Sequence, residues 1–323
     1  MWKNEIPGFI LMFFSHFITL AQHNPVADNP FIESFKQIKP KGDIITCYNS
    51  LPVNNFGGHV QGVQTIERDE QMYIIITGSS DSYSYFAVLK ASENCESISV
   101  NKILDKPYKH AGGFQVYKNL MAIGVEDNEA KDKSKVLIYD IQNPKNIPVK
   151  PLTVIERKGP YKRATAGCVG ITQYKNTLLM VVGDWDSRHL DFYTAPIEGI
   201  EKTDLTFTLV SSLDMESASR QNWTDPSWLS YQNINLFTDE KDQMYLIGMT
   251  SDENNTEIAD LFEIAVNSMS TFSLKKISTL NLKGHKNTLF RWGSGVEYRG
   301  DRSLRIISTS ENLTEHSTFI IYR

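Results

Sequence analysis

A fivefold internal repeat constrains this chain more than any other feature of its sequence. Each repeat has a short alternating run, a polar turn and a second run rich in Ile, Val, Met and Leu, which is the pattern of a β-hairpin. The five hairpins are GVQTIERDEQMYIIITGSSD (62–81), GFQVYKNLMAIGVED (113–127), GITQYKNTLLMVVGDWD (170–186), NINLFTDEKDQMYLIGMTSD (233–252) and GVEYRGDRSLRIISTSE (295–311). Their starts lie 51 to 63 residues apart, a spacing that is typical of one propeller blade.

Further strand-like runs follow the hairpins. The first four hairpins are each followed by two runs, and the fifth is followed by one, STFIIYR (317–323). We expect the missing strand to come from residues 31–48, because a closed ring leaves no unpaired sheet edge between its first and last blades. The sequence therefore predicts an all-β fold, a five-bladed β-propeller of four-stranded antiparallel blades whose last blade is closed by an N-terminal strand. The alternative is a β-sandwich or a pair of β domains.

The N-terminal residues predict export. Lys3 precedes the apolar run GFILMFFSHFITLA (8–21), which has the length of a signal peptide and is too short to span a bilayer. We predict a signal peptide over 1–21, a single propeller domain over 22–323, and a secreted, periplasmic or extracellular location. The chain has three cysteines. Cys47 and Cys95 lie on predicted outer strands and form a candidate disulfide, whereas Cys168 is expected to be a buried thiol.

The charge pattern limits the class of partner. The formal net charge is −5 and no block of five Lys or Arg residues occurs, so the chain lacks the basic surface that nucleic-acid binding requires. We expect a small molecule, a glycan or an extracellular protein as partner, no transmembrane segment in the mature protein, and a monomer.

Polar residues recur at equivalent places on the predicted innermost strands. One column lies two residues after the first residue of each hairpin, which is Gly in four hairpins and Asn in the fourth, and is expected to point into the central channel. A second column lies three residues before that first residue, near the channel mouth. A wet channel is polar even without a ligand, so a structural role is the competing interpretation. The predicted ligand-binding residues from the two columns are His59, Gln64, His110, Gln115, Thr172, Asn235 and Trp292.

An acidic residue follows the second strand of every hairpin. An Asp at such a place caps a turn by accepting backbone N–H bonds, which accounts for most of this column. Glu126 and Asp184 are additional carboxylates that capping does not require, and they form pairs with Asp127 and Asp186. Paired carboxylates suit a Ca²⁺ site or the acid and nucleophile of a glycosidase. The candidate catalytic residues are Glu126, Asp127, Asp184, Asp186 and Glu297. No metal ligand is assigned, and Ca²⁺ is the one cofactor under consideration.

The repeat pattern resembles that of secreted five-bladed propellers, and HAGGFQ (110–115) is similar to the H-P-G-G-I-Q inner-strand motif of some exported propeller proteins. More distantly, the layout is similar to propeller glycosidases, apyrases and lectins. The glycosidases typically carry an Asp early on the first inner strand, where this chain has His59-Val-Gln-Gly-Val-Gln64 and no carboxylate. We therefore favour a secreted binding module that recognises its ligand at the channel mouth. The alternative is a secreted hydrolase of glycans or phosphate esters that uses the carboxylates at the mouth.

Overall fold

The structure, a computed structural model, describes residues 29–48, 51, 58–92, 95–200, 205–268, 271–285 and 288–323. The predicted signal peptide lies outside the described residues. The described part is all-β apart from one α-helix, α1 (Pro30–Lys36), and two short 3₁₀ turns, Trp185–Ser187 and Ile197–Gly199. None of its helices is long and apolar enough to cross a membrane.

The strands form five consecutive units, each starting with one of the predicted hairpins. Unit one comprises β2 (Val60–Arg68), β3 (Gln71–Ser79), β4 (Tyr83–Ala91) and β5 (Glu96–Asp105). Unit two comprises β6 (His110–Tyr117), β7 (Leu120–Glu126), β8 (Lys133–Asp140) and β9 (Thr153–Lys158). Unit three comprises β10 (Cys168–Tyr174), β11 (Thr177–Gly183), β12 (His189–Pro196) and β13 (Thr208–Asp214). Unit four comprises β14 (Asn233–Thr238), β15 (Met244–Ser251), β16 (Thr256–Ser268) and β17 (Thr271–Lys283). Unit five comprises β18 (Thr288–Tyr298), β19 (Leu304–Ser310), β20 (His316–Tyr322) and, from the N-terminal side, β1 (Asp43–Tyr48).

Neighbouring strands within each unit are antiparallel. Single parallel residue pairs join units five and one, through Tyr48 and Glu96, and units two and three, through Gly113 and Cys168. The strands therefore form two mixed eight-stranded sheets, while unit four is a separate four-stranded sheet. The first strands of the units, β2, β6, β10, β14 and β18, pack on one another in a closed ring.

Close packing in this ring explains the glycines of the repeat. A Cβ at Gly113 would collide with the side chain of Asn233, and one at Gly295 would collide with the carbonyl of Val63. Only glycine lets these backbones approach so closely. Outside the ring, five separate hydrophobic clusters fill the five spaces between adjacent units. Burial of apolar area thus holds each unit to both of its neighbours.

The N-terminal segment closes unit five, with one correction to the sequence-based expectation. β1 pairs with β20 from Asp43–Ile321 to Tyr48–His316, so the predicted closing strand is confirmed over its second half. The first half is the helix α1, in which Pro30 stands at the first helical turn and the Asn29 side chain accepts the N–H of Phe31. An N-cap followed by Pro and Phe residues at helical spacing favours a helix over a strand.

The buried side of α1 packs between units four and five. Phe31 and Phe35 are almost fully buried in the cluster shared by these units. Asn29 also donates to the Asp239 carboxylate at 2.7 Å, which ties the start of the helix to the turn after β14. The helix therefore adds to the closure of the ring, although it contributes no strand.

The candidate disulfide is present. Cys47 on β1 is bonded to Cys95, which directly precedes β5, the fourth strand of unit one, and both residues are buried. The bond joins the closing strand of unit five to the neighbouring unit, close to the parallel pair of Tyr48 and Glu96. It therefore crosslinks the place where the ring is closed.

Replacing Cys47 and Cys95 together with Ser is expected to lower the free energy of unfolding by about 2–4 kcal/mol, since the bond restricts the unfolded chain. Urea unfolding of the two proteins measures the difference. Reductant should lower the unfolding midpoint of the unchanged protein and leave the double variant unaffected. An equal response in both proteins would show that the bond does not stabilise the ring.

Candidate functional site

A cavity of about 280 Å³ opens where the five first strands begin. It gathers residues from all five units, because first strands start and second strands end at the same end of the ring. Its sequence-predicted members are His59, His110, Trp292, Glu126, Asp184 and Asp186. Six of the twelve predicted site residues are thus brought together at one mouth.

Glu126 ends β7 and is fully buried in the wall of this cavity. Its Oε2 accepts the backbone N–H of Ala166 at 2.8 Å, whereas Oε1 has no hydrogen-bond partner among the described residues. Burial, strengthened by the charge of Asp184, raises the pKa of Glu126 to about 7. A carboxyl group of this kind holds a proton near neutral pH and can release it.

His110 stands beside Glu126 but does not form an ion pair with it. Its Nε2 lies 3.7 Å from Glu126 Oε1, which is beyond hydrogen-bond length. Burial, together with the charges of neighbouring groups, lowers the pKa of His110 to about 3. Because the imidazole is neutral at physiological pH, it does not draw the Glu126 proton away.

Asp184 supplies a second carboxylate on the same wall. It follows β11, and its two oxygens accept the backbone N–H and the Nδ1–H of His189, at 2.8 and 2.7 Å. Burial raises the pKa of Asp184, while the bonds to His189 oppose the shift. His189 therefore fixes the orientation of this carboxylate. The next acidic residue, Asp186, is more exposed and pairs with Arg188 at 2.9 Å.

Aromatic rings form an arc around the mouth. The ring centroids of Trp292 and His59 are 5.3 Å apart, those of His59 and His110 are 6.3 Å apart, and those of His110 and Trp185 are 6.3 Å apart. The other side of the cavity is polar, where Gln232 donates to Gln61 at 2.6 Å. Flat rings with a few fixed amides are the usual lining of a site for a small organic ligand.

The other predicted ligand-binding residues lie elsewhere. Gln64, Gln115 and Thr172 line a second cavity, of about 640 Å³, where the first strands end, and Asn235 is buried between these strands. Gln64 donates to Asn235 Oδ1 at 2.9 Å, and the same oxygen accepts the N–H of Val296. The Gln64 and Asn235 side chains are thus hydrogen-bonded within the ring of first strands. The predicted ligand-binding residues thus divide between the two ends of the channel, and their role in binding stays a prediction.

Among the polar residues of the first strands that were predicted to bind a ligand, Gln115 has contacts that indicate a structural role most clearly. Its Oε1 accepts the backbone N–H groups of Ile171 and Leu236, and its Nε2 donates to the Leu236 carbonyl, at 2.7–2.8 Å. It therefore connects three first strands through one buried side chain.

Replacing Gln115 with Leu is expected to lower the free energy of unfolding by roughly 2–4 kcal/mol, because two buried N–H groups lose their acceptor. Urea unfolding measures the loss. Thr172→Val is the matched control, since among the described residues the Thr172 side chain has a single hydrogen bond, to the Thr238 hydroxyl at 3.3 Å. If the Gln115 variant were no less stable than the control, the side chain would be free for a ligand.

Two of the candidate catalytic carboxylates are outside the mouth. Asp127 accepts the N–H groups of Glu129 and Ala130 and pairs with Lys133 at 3.1 Å, which are the contacts of a turn cap. Glu297 lines the second cavity and accepts the Thr65 hydroxyl at 2.9 Å. Neither side chain therefore lines the mouth together with Glu126 and Asp184.

The free thiol adds no nucleophile to the mouth, and the described residues show no cluster of metal ligands there. Cys168 is buried against Ser187, and burial raises its pKa to about 12, so the thiolate nucleophile is not formed near neutral pH. Within the described ranges, no three His, Cys, Asp or Glu side chains are grouped to hold a metal ion. Both Asp184 oxygens are already bonded to His189. The calcium site stays a prediction.

Comparison with known proteins gives structural matches but no sequence matches. No protein-family model matches the chain, and no curated protein matches it in sequence. Among solved structures, the catalytic domain of the GH62 α-L-arabinofuranosidase of Coprinopsis cinerea aligns with a TM-score of 0.50 and 7% identity, over 87% of this chain and 98% of that one. An α-L-arabinofuranosidase of Podospora anserina, solved with cellotriose, aligns with a TM-score of 0.53 and 7% identity, over 88% and 98%. The chain has their fold.

These matches change the functional interpretation. The preference for a binding module over a hydrolase is contradicted, because the solved structures that share the fold are glycoside hydrolases. The absence of an Asp on the first inner strand does not exclude the alternative of a hydrolase, since the mouth has its own pair of carboxylates in Glu126 and Asp184. The resemblance to exported propellers with an HAGGFQ-like motif stays a prediction, since no family model matches.

Sequence reasoning missed several residues of the mouth. Gln61, Gln232 and Arg291 line the cavity, and His189 orients Asp184. The alternation of β2 did not reveal Gln61, because a register shift between Val60 and Gly62 interrupts the pairing there. Arg291 gave no signal either, since a register shift in β18 between Leu289 and Ser294 interrupts the pairing there.

Proposed function

We propose that this protein is a secreted five-bladed β-propeller that hydrolyses glycosidic bonds at the mouth lined by Glu126 and Asp184. Units one to five are its blades, and their first strands surround the central channel. The observation that carries the proposal is Glu126: a buried carboxyl with an unbonded oxygen at a cavity that also holds a second carboxylate. The structural likeness supports the fold, and the chemistry rests on the site.

Glu126 is the general acid of the proposed reaction. Cleavage of a glycosidic bond requires a proton on the leaving oxygen, and a carboxyl whose pKa is raised to about 7 carries that proton near neutral pH. The unbonded Oε1 is the atom that can donate it. The N–H of Ala166 holds the other oxygen, Oε2, and the neighbouring imidazole of His110 is neutral at physiological pH, so it does not take up the proton.

Asp184 is the second carboxylate of the reaction. It stabilises positive charge on the sugar ring as the bond breaks and activates water or attacks directly, which are the roles of the second carboxylate in glycosidases. His189 holds it in one orientation, so little reorganisation is needed during the reaction. Trp185 and Trp292 provide flat surfaces on which the apolar face of a sugar can rest.

Export is part of the proposal. The apolar run over 8–21 is typical of a signal peptide. The Cys47–Cys95 bond in the structure supports an oxidising compartment, because thiols are kept reduced in the cytosol. A glycan outside the cell is then the substrate.

Incubation of the purified protein with aryl glycosides, including the α-L-arabinofuranoside, and with plant polysaccharides tests the proposal through released sugar. We expect release from at least one substrate, and a loss of at least about a hundredfold in the Asp184→Asn variant. Asp127→Asn is the matched control, because Asp127 caps a turn outside the mouth and pairs with Lys133. No release from any glycoside, or full activity in Asp184→Asn, would reject the proposal.

A further inference from the structure

The two carboxylates of the mouth and Arg291 lie on different sides of the cavity. Glu126 and Asp184 come from units two and three, whereas Arg291 comes from β18 of unit five, next to Trp292. The Arg291 carbon Cζ lies 6.0 Å from the centroid of the Trp292 ring. The mouth is thus polarised, with acid groups on one side and a guanidinium on the other.

Arg291 is held in place by neutral acceptors. Its Nη2 donates to the Asp252 carbonyl at 2.8 Å and to Asn255 Oδ1 at 3.0 Å, while its buried Nε has no partner among the described residues. No carboxylate of the described part lies within ion-pair distance of it. A guanidinium at a cavity is normally paired with an anion, and its planar fork suits a carboxylate or sulfate.

Glu257 is the acidic residue whose pKa is affected by the Arg291 charge. Its Oε2 accepts the N–H of Phe290 and the hydroxyl of Ser251, so this oxygen bonds to unit five and to its own unit. Burial raises the pKa of Glu257 to about 7, which reduces its negative charge near neutral pH. Glu257 therefore does not supply a full counter-charge for Arg291.

A second cation, Lys131 of unit two, lies near the acidic side of the mouth. The ammonium of Lys131 lies 3.4 Å from the ring centroid of Trp185, at the other end of the aromatic arc. The described residues place no carboxylate within ion-pair distance of it either. The half-buried Asp186, which also lines the mouth, is already paired with Arg188.

We infer that the substrate is an acidic glycan, and that Arg291 binds a carboxylate or sulfate group on the sugar that occupies the mouth. This inference rests on the proposed function, because it takes Glu126 and Asp184 as the cleaving groups. The anionic group lies against unit five, and the bond to be cleaved faces units two and three. Arg291 thus selects charged over neutral sugars.

Calorimetric titration of the full protein with matched sugars tests the inference. The probes are the methyl glycosides of glucuronic and galacturonic acid, the methyl esters of both, and the 6-sulfates of the corresponding neutral sugars. We expect at least one charged sugar to bind about tenfold more tightly than its neutral counterpart, and Arg291→Gln to remove that preference. The uronates and the sulfates distinguish the two sources of charge.

Two comparisons keep the test decisive. Arg302→Gln is the matched control, because Arg302 pairs with Glu240 and does not line this mouth. The comparison of acid with ester in the unchanged protein needs no variant, so it holds even if Arg291→Gln unfolds. Equal affinity for charged and neutral sugars, no binding of any charged sugar, or a preference that survives Arg291→Gln would overturn the inference.

The outcomes also separate this inference from the proposed function. A preference for charged sugars that depends on Arg291, in a protein that cleaves no glycoside, would keep the inference at the level of binding and reject the hydrolase. If the protein cleaved neutral glycosides and showed no preference for charged sugars, the proposed hydrolase would stand and the inference about Arg291 would be rejected.

Discussion

Replacing Glu126 with Gln is expected to lower the turnover rate on glycosides by about 10²–10⁴-fold, the usual contribution of a positioned general acid. The amide has nearly the same shape and can still accept the Ala166 N–H, so the variant should fold. It has no proton to donate from the position of Oε1. Measuring kcat and KM on the best substrate from the glycoside panel gives the loss, which should fall mainly on kcat.

The pH dependence should identify Glu126 independently. The acid form exists below its pKa of about 7, so activity of the unchanged protein should fall as the pH rises through 7. In the Gln variant this alkaline limb should be absent from the residual activity. Glu297→Gln is the control, since Glu297 is also buried and its pKa is also raised, but it lines the opposite cavity. If Glu297→Gln were as inactive as Glu126→Gln, the loss of activity would not identify Glu126 as the general acid.

Replacing Asp260 with Asn is expected to lower the free energy of unfolding by about 3–5 kcal/mol, the usual cost of removing one partner from a buried ion pair. Lys276 is fully buried, and its Nζ lies 2.9 Å from Asp260 Oδ2. The same carboxylate accepts the hydroxyls of Tyr231 and Thr279. Tyr231 lines the mouth, so this pair also supports one wall of the site. Urea unfolding measures the loss.

Two further variants show that the effect belongs to the buried charge. Asp225 also pairs with Lys276, at 3.1 Å, but its side chain is 51% exposed, so Asp225→Asn should cost no more than about 1 kcal/mol. Asp260→Leu combined with Lys276→Met should recover most of the stability, because no unpaired charge remains. A single Asp260 variant as stable as the Asp225 variant would show that water reaches the lysine.

The strand order of this protein could be predicted from its sequence because it depends on local information. Hairpins reveal themselves through alternation and turn residues, and the repeat shows the same hairpin five times. The closing strand β1 also followed from the repeat, since one unit lacked a strand. Helix α1 was missed because closure was expected to use all of residues 31–48, although the Asn29-Pro30 pair and the spacing of Phe31 and Phe35 favour a helix.

The candidate site was only partly accessible from the sequence. The repeat aligned His59, His110 and Trp292 at one end of the first strands, and that end is the mouth in the structure. It also suggested that Gln64 and Gln115 could bind a ligand, but these amides bond to neighbouring first strands. Repetition reports which residues occupy equivalent places. It does not report whether their polar atoms find partners inside the protein.

By itself, then, the sequence determined the repeat, its hairpins and the closure of the last unit, because these follow from patterns between neighbouring residues. The tertiary structure alone decided which carboxylates share a cavity. Glu126 and Asp184 are 58 residues apart in the chain, and their pKa shifts arise from burial and from contacts with Ala166 and His189. Burial and long-range contact exist only once the units have packed around the ring, so no local pattern could reveal them.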